Sequence, residues 1–165
     1  MNKILYSPWR LKYILSKKKK ECIFCIRPSA KNDEKHFILY RSKFSFVILN
    51  MFPYNNGHLM VVPFKHVAGL NDLSKEEIDD LFETVQLCEK VITNNYHPDG
   101  INIGMNLGKA AGAGIDEHLH VHLVPRWNGD TNFMTATGST RVIPESFETA
   151  YQQLKEQFDS EQVKK

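Results

Sequence analysis

Apolar positions along this chain change their period several times, and each change predicts an element. His36 to Asn50 reads HFILYRSKFSFVILN, two apolar and aromatic runs parted by a polar break at Arg41 to Lys43, the pattern of a β-hairpin. MFPYNNG, Met51 to Gly57, crowds turn residues ahead of the apolar run His58 to Pro63, which predicts a third, well-buried strand. From Leu73 the period lengthens to that of a helix. Ser74 can cap the amide of Glu77 while Glu77 reaches back to Ser74, and Leu73 and Ile78 supply a flanking hydrophobic staple. Ile78, Leu81, Val85, Cys88 and Ile92 share one face, and Asn94, Asn95, His97 and Pro98 are expected to end the helix at about Asn95. Asp99 and Gly100 predict a turn, Ile101 to Asn106 alternates as a fourth strand, and Gly108 to Gly114 is a loop of small residues. Arg126 to Thr140 reads as a long surface segment. A last helix is expected after Pro144, with Phe147, Tyr151, Leu154 and Phe158 on one face.

The stretch between the small-residue loop and Pro125 changes the picture. His118, His120 and His122 alternate with Leu119, Val121 and Leu123, so in a strand three imidazoles line one face and the apolar residues pack behind. Composition alone, with seven histidines in 165 residues, produces such a run in on the order of one chain in a hundred. Two chemistries compete for it. All three rings can be imagined on one metal, but backbones two residues apart on a strand lie about 6.5 to 7 Å from each other, which strains a shared site. In the other reading the central imidazole is a nucleophile toward phosphorus. One of its nitrogens is then held by a hydrogen bond that fixes the tautomer, and a neighbouring histidine contacts the phosphate oxygens. The adjoining loop favours phosphate, because glycine-rich backbone lets amides come close to an anion and support the charge that builds on it during transfer. A nucleotidyl-histidine splits one displacement into two, and the second acceptor defines the reaction: water gives hydrolysis, inorganic phosphate gives phosphorolysis.

Cys22 and Cys25 form a Cys-x-x-Cys pair that needs two further ligands to make tetrahedral zinc, and His66 and His118 are candidates. A redox reading of the pair lacks a preceding strand and a βαβ setting. Cys88, on the apolar helix face, is expected to be an inert core thiol. A length of 165 residues with 42% hydrophobic content suits one domain over 1–165, with an N-terminal arm and a C-terminal helix. A formal charge of +2 is too small to imply a nucleic-acid partner, and the lysines at 17–20 read as a solvated loop. No stretch approaches the roughly 18 apolar residues of a membrane helix, and the apolar residues of MNKILYSPWRLKYIL are too interrupted for a signal-peptide core. A cytoplasmic protein without a membrane partner or an organic cofactor is expected.

The run His118-Leu-His-Val-His-Leu-Val124 resembles the signature of the histidine triad (HIT) family. The resemblance extends to Asn50, eight residues before His58 in Gly57-His-Leu-Met-Val-Val-Pro63, to the capped central helix and to the Cys-x-x-Cys. Asn102 to Met134, together with SPWR at Ser7 to Arg10, is most similar to the branch of bacterial diadenosine tetraphosphate phosphorylases and their hydrolase relatives. This resemblance implies an α+β fold, an antiparallel five-stranded sheet with two helices, whose sheets join across a homodimer. It implies His120 as nucleophile on the α-phosphate of an adenine nucleotide, His122 on phosphate, Asn50 on the ribose, and Asn106 with Gly112, Ala113, Gly114 and Ile115 on the phosphate chain. It also implies structural zinc on Cys22, Cys25, His66 and His118. The expected activity is cleavage of dinucleoside polyphosphates such as diadenosine tetraphosphate, with phosphorolysis favoured over hydrolysis. Purine nucleoside phosphoramidase activity and a non-catalytic nucleotide sensor are the alternatives. Gly114 and Ile115 stand where many relatives carry Gln followed by Ser or Thr, so the hydroxyl that the phosphoramidase branch uses near the leaving group is absent. Asn106 stands where hydrolase relatives place Gln, a longer side chain with the same hydrogen-bonding groups.

Overall fold

The computed structural model describes residues 22–30, 32–131, 137 and 143–163. The Ser7 to Arg10 segment, the lysine run at 17–20 and most of the surface segment expected after Thr131 lie outside the described residues. In chain order the elements are α1 (Ile23–Ser29), α2 (Asp33–His36), β1 (Ile38–Arg41), β2 (Ser45–Leu49), β3 (Leu59–Pro63), α3 (Lys75–Tyr96), β4 (Gly100–Met105), β5 (Val121–Arg126) and α4 (Phe147–Val163). The strands form one antiparallel sheet in the order β1-β2-β3-β5-β4. Among the described residues no helix is long and apolar enough to cross a membrane.

Alternation along the strands gives the sheet two faces. Leu39, Val47, Leu49, Leu59, Val61, Val121 and Leu123 pack under α3 and α4 in one cluster that also holds Leu81, Cys88, Leu154 and Phe158. Ile38, Phe46, Ile48, Met60 and Val62 form a second cluster with Phe24 of α1. The pairings Ile48↔Met60, Met60↔His122 and Gly104↔His122 set these four residues in one row on that second face. The candidate chemistry therefore lies opposite the long helices.

Local signals explain most of the boundaries. The Ser74 hydroxyl accepts from the Glu77 amide at 3.3 Å and the Glu77 carboxylate accepts from the Ser74 amide at 2.7 Å, the expected capping box. α3 runs one residue past the expected end, to Tyr96, and His97 closes it in the left-handed region with φ 45. Gly57 adopts φ +69, and a Cβ there would collide with the Tyr96 ring, so the turn that delivers His58 requires glycine. Cys88 is fully buried, and burial pushes its thiol far up, as an inert core position should behave.

One element had no sequence expectation, and one expected strand is shifted. The segment after Cys22 is helical: the Cys22 carbonyl accepts from the amides of Cys25 and Ile26, both at 3.1 Å, and α1 follows, with α2 adding a second short helix to the two long ones. A seven-residue helix is marginal by propensity; burial of Phe24, 2% exposed, against the sheet supplies the stabilisation. The histidine strand also starts later than its alternation suggests, at Val121. The Leu119 amide donates to the Val67 carbonyl at 2.6 Å, outside the β3–β5 ladder, so His118 and His120 precede the regular strand while their side chains keep the alternation.

Candidate active site and metal-ligand cluster

Four donors gather where α1 meets the segment before β5. The ligand atoms of Cys22, Cys25, His66 and His118 all lie within 4.8 Å of one another. His118 Nδ1 is 3.3 Å from Cys22 Sγ, 3.6 Å from Cys25 Sγ and 3.2 Å from His66 Nδ1, while Cys25 Sγ is 3.3 Å from His66 Nδ1. The Pro63 carbonyl, 2.9 Å from His118 Nε2, can only accept, so His118 carries its proton on Nε2 and turns a lone pair on Nδ1 toward three other heteroatoms. Zinc bonds of about 2.3 Å to sulfur and about 2.0 Å to nitrogen make a tetrahedron with edges of about 3.3 to 3.8 Å. Four of the six spacings, 3.2 to 3.6 Å, fit that figure and the other two lie within 4.8 Å, so the group could hold a metal ion and both expected histidines join it.

The other two histidines of the triad have different partners. His120, 5% exposed, donates from Nδ1 to the His118 carbonyl at 2.8 Å, which leaves Nε2 as its unprotonated nitrogen. Burial lowers its proton affinity, against the pull of that carbonyl, so the ring is neutral near pH 7 and its lone pair is available. Phe24 lies against it with ring centroids 5.2 Å apart, and the His122 ring is 4.8 Å away, nearly perpendicular.

His122 is held by His58, a residue that alternation did not single out. The Tyr54 amide can only donate, and it does so to His58 Nδ1 at 3.0 Å. His58 therefore keeps its proton on Nε2 and donates it to His122 Nδ1 at 2.9 Å, which puts the His122 proton on Nε2. Burial, and then the neighbouring histidines, push His58 down to about 3; burial and His120 push His122 down to about 4. Two neutral imidazoles result, the second with a free N–H to offer. Asn50, 8% exposed, sets its amide nitrogen against the His58 ring at 3.3 Å and accepts from the Phe52 amide at 3.0 Å.

A cleft of about 270 Å³ opens beside His122, lined by Tyr54, Asn102 to Asn106, Val124 and Arg126. It includes Asn106 but neither His120, nor Asn50, nor the loop from Gly112 to Ile115. Within that loop the amides of Gly112 and Ala113 already donate to the carbonyls of Lys109, at 3.0 Å, and Gly108, at 3.4 Å. Ile115 packs against the second core cluster. Alternation along the chain does not single out His58, Tyr54 or the Arg126–Asp130 pair. The available signals were His58 directly behind the Gly57 turn and the four-residue spacing of arginine and aspartate in RWNGD.

Residues 31–129 match the HIT domain family. The chain is 47% identical over 114 residues to a protein of Mycobacterium tuberculosis named AP-4-A phosphorylase, a match covering 69% of this chain and 58% of that protein. It is 36% identical over 91 residues to the bis(5'-adenosyl)-triphosphatase of Saccharomyces cerevisiae, covering 54% of this chain and 44% of the yeast protein. The chain thus spans under two thirds of the length of these relatives. Among solved structures, a zinc-bound histidine triad family protein from Mycobacterium smegmatis superposes with a TM-score of 0.71 at 28% identity, over 88% of this chain and 98% of that one.

The buried imidazole pair has a signature in stability. The unfolded chain takes up protons near the ordinary value of 6.5, whereas folded His58 and His122 do so only toward about 3 and about 4. Below about pH 6.5 the unfolded state therefore binds more protons, and stability, complete above that value, falls as pH drops through the window. Each ring contributes a slope approaching about 1.4 kcal/mol per pH unit. Urea unfolding between about pH 6.5 and 4.5 should show His122→Asn with a shallower slope than wild type. An unchanged slope contradicts a buried neutral pair.

Proposed function

Since the chain belongs to the HIT family, we propose that it cleaves dinucleoside polyphosphates, diadenosine tetraphosphate among them, at the α-phosphate through a nucleotidyl-His120 intermediate, with phosphorolysis favoured over hydrolysis. The observation that carries this reading is the 2.8 Å bond from His120 Nδ1 to the His118 carbonyl, because it leaves Nε2 as the unprotonated nitrogen of a neutral ring. Nε2 bonds to the α-phosphorus as the bridging P–O bond breaks and the nucleoside triphosphate leaves. An oxygen of inorganic phosphate then attacks the same phosphorus, the P–N bond breaks, and ADP departs with His120 regenerated. His122, whose Nε2 carries the proton, donates to a nonbridging oxygen where negative charge builds. Asn50 contacts the ribose, and Asn106 with the backbone from Gly112 to Ile115 contacts the phosphate chain. The 47% identity to a protein named AP-4-A phosphorylase supports phosphate as the second acceptor.

Cys22, Cys25, His66 and His118 would hold zinc, which supplies a cross-link between the start of α1 and the segment before β5 rather than a step of the reaction. Reduced thiols at that site suit the cytoplasm. The chain further pairs with a second copy along β4. That strand is an edge of the sheet and largely exposed, and Ile103 on it is 46% exposed, which leaves an unpaired ladder for an antiparallel partner. Sedimentation equilibrium at micromolar concentration should return a dimer mass; a monomer throughout contradicts the pairing.

Incubation with diadenosine tetraphosphate should yield ADP and ATP only when inorganic phosphate is present. AMP and ATP without phosphate would replace phosphorolysis by hydrolysis, and no turnover in either condition refutes both. His120→Ala should lower turnover by at least about 10³-fold, and a variant that keeps wild-type turnover contradicts the intermediate.

Chelation separates a structural metal from a catalytic one. Stripped protein should unfold at a lower temperature while the fraction still folded retains turnover. Loss of turnover with the fold intact contradicts the structural role.

A further inference from the structure

His122 offers a proton from Nε2 only while its Nδ1 accepts one, and what fills Nδ1 is decided one step further out. His58 Nε2 donates to His122 Nδ1 at 2.9 Å, and His58 keeps its proton there because the Tyr54 amide, a donor only, occupies His58 Nδ1 at 3.0 Å. The position of one backbone amide therefore sets two tautomers. That amide lies in the loop of residues 51–57, closed at its base where the Asn50 amide donates to the His58 carbonyl at 2.9 Å.

The two asparagines that follow Tyr54 tether this loop. Asn55 donates from its side chain to the Asp130 carboxylate at 2.8 Å and to the Pro125 carbonyl at 3.0 Å, which ties the loop to the end of β5 and the turn beyond it. Asp130 is a firm anchor. Its side chain is 10% exposed, Arg126 donates to both of its oxygens at 2.6 and 2.7 Å, and the Trp127 amide donates to it at 3.3 Å. The guanidinium bonds hold its carboxyl well below the usual carboxylate range, so it stays an acceptor at neutral pH. Pro53 on one side, with its restricted backbone, and tethered Asn55 on the other leave the Tyr54 amide little freedom to turn. Asn56 donates to the Glu145 carboxylate at 2.7 Å, which also accepts from the Tyr96 hydroxyl at 3.0 Å. This second tether means that loss of the first loosens the loop without releasing it.

We propose that Asn55 is a positioning residue for His122: by holding the loop on Asp130 it keeps the Tyr54 amide on His58, and so keeps the His122 proton on Nε2. The use of that proton rests on the reading given under Proposed function. When the amide withdraws, each ring can carry its one proton on Nδ1 instead of Nε2. His122 then donates to His58, and its Nε2 presents a lone pair where phosphate oxygens need a donor.

Asn55→Asp keeps the shape of the side chain but replaces its donor with an acceptor facing the Asp130 carboxylate and the Pro125 carbonyl. Nitrogen-15 NMR near neutral pH should show His122 protonated on Nε2 in wild type, and on Nδ1 or in a mixture of the two forms in the variant. Turnover of diadenosine tetraphosphate with phosphate present should fall at least about tenfold in kcat with KM changed less than about twofold, part of the loss expected when a donor to developing charge is removed outright. Asn55→Ala, which removes the donor without adding a charge, is read in the same way if the aspartate variant does not fold. Wild-type tautomers in the folded variant overturn the proposal whether or not kcat falls, and so does an altered His122 with unchanged kcat. Absence of turnover by wild type refutes the catalytic reading instead, and the NMR comparison then decides the positioning role alone.

Discussion

The hydrogen bond from His120 Nδ1 to the His118 carbonyl, 2.8 Å long, is the interaction on which the rest of the site depends. A neutral imidazole has one proton, and this bond decides which nitrogen keeps it. The carbonyl is a reliable acceptor only because its own residue is fixed. The His118 ring is 1% exposed, donates to the Pro63 carbonyl and turns its other nitrogen into the Cys22, Cys25 and His66 cluster. Two networks thus meet in one residue, whose side chain belongs to the Cys22, Cys25 and His66 cluster and whose backbone orients the His120 ring.

The three alternating histidines consequently carry three protonation patterns. His118 keeps its proton on Nε2 against a carbonyl, His120 on Nδ1 against another, and His122 on Nε2 because His58 donates to its Nδ1. Alternation brings the rings to one face, but the groups opposite them, the Pro63 and His118 carbonyls and the His58 ring, place each proton separately. Burial contributes in the same direction for all three, since each is pushed toward the neutral form at neutral pH.

Local chemistry explains what was legible in the sequence. The capping box of Ser74 and Glu77, the apolar run of β3, the alternation of β4 and the aromatic face of α4 are encoded within a few residues of themselves, and the bounds of α3, β3 and β4 fall within a residue of those expected. The four-residue cluster was legible because Cys-x-x-Cys states its own incompleteness, and His66 and His118 do meet it. The helix after Cys22 was not legible. It depends on Phe24 finding the second face of the sheet, a contact between residues far apart in the chain. His58 was hidden for the same reason: its bond to His122 spans 64 positions and leaves no periodic trace. The start of β5 was misjudged because a side-chain pattern persists where the backbone ladder has already given way to the Leu119–Val67 bond.

If the backbone of His118 fixes the tautomer of His120, nitrogen-15 NMR of the imidazole rings near neutral pH will show it. His120 should carry its proton on Nδ1 with Nε2 unprotonated, the reverse of His118 and His122. A His120 ring protonated on Nε2, or one exchanging freely between the two forms, would contradict it.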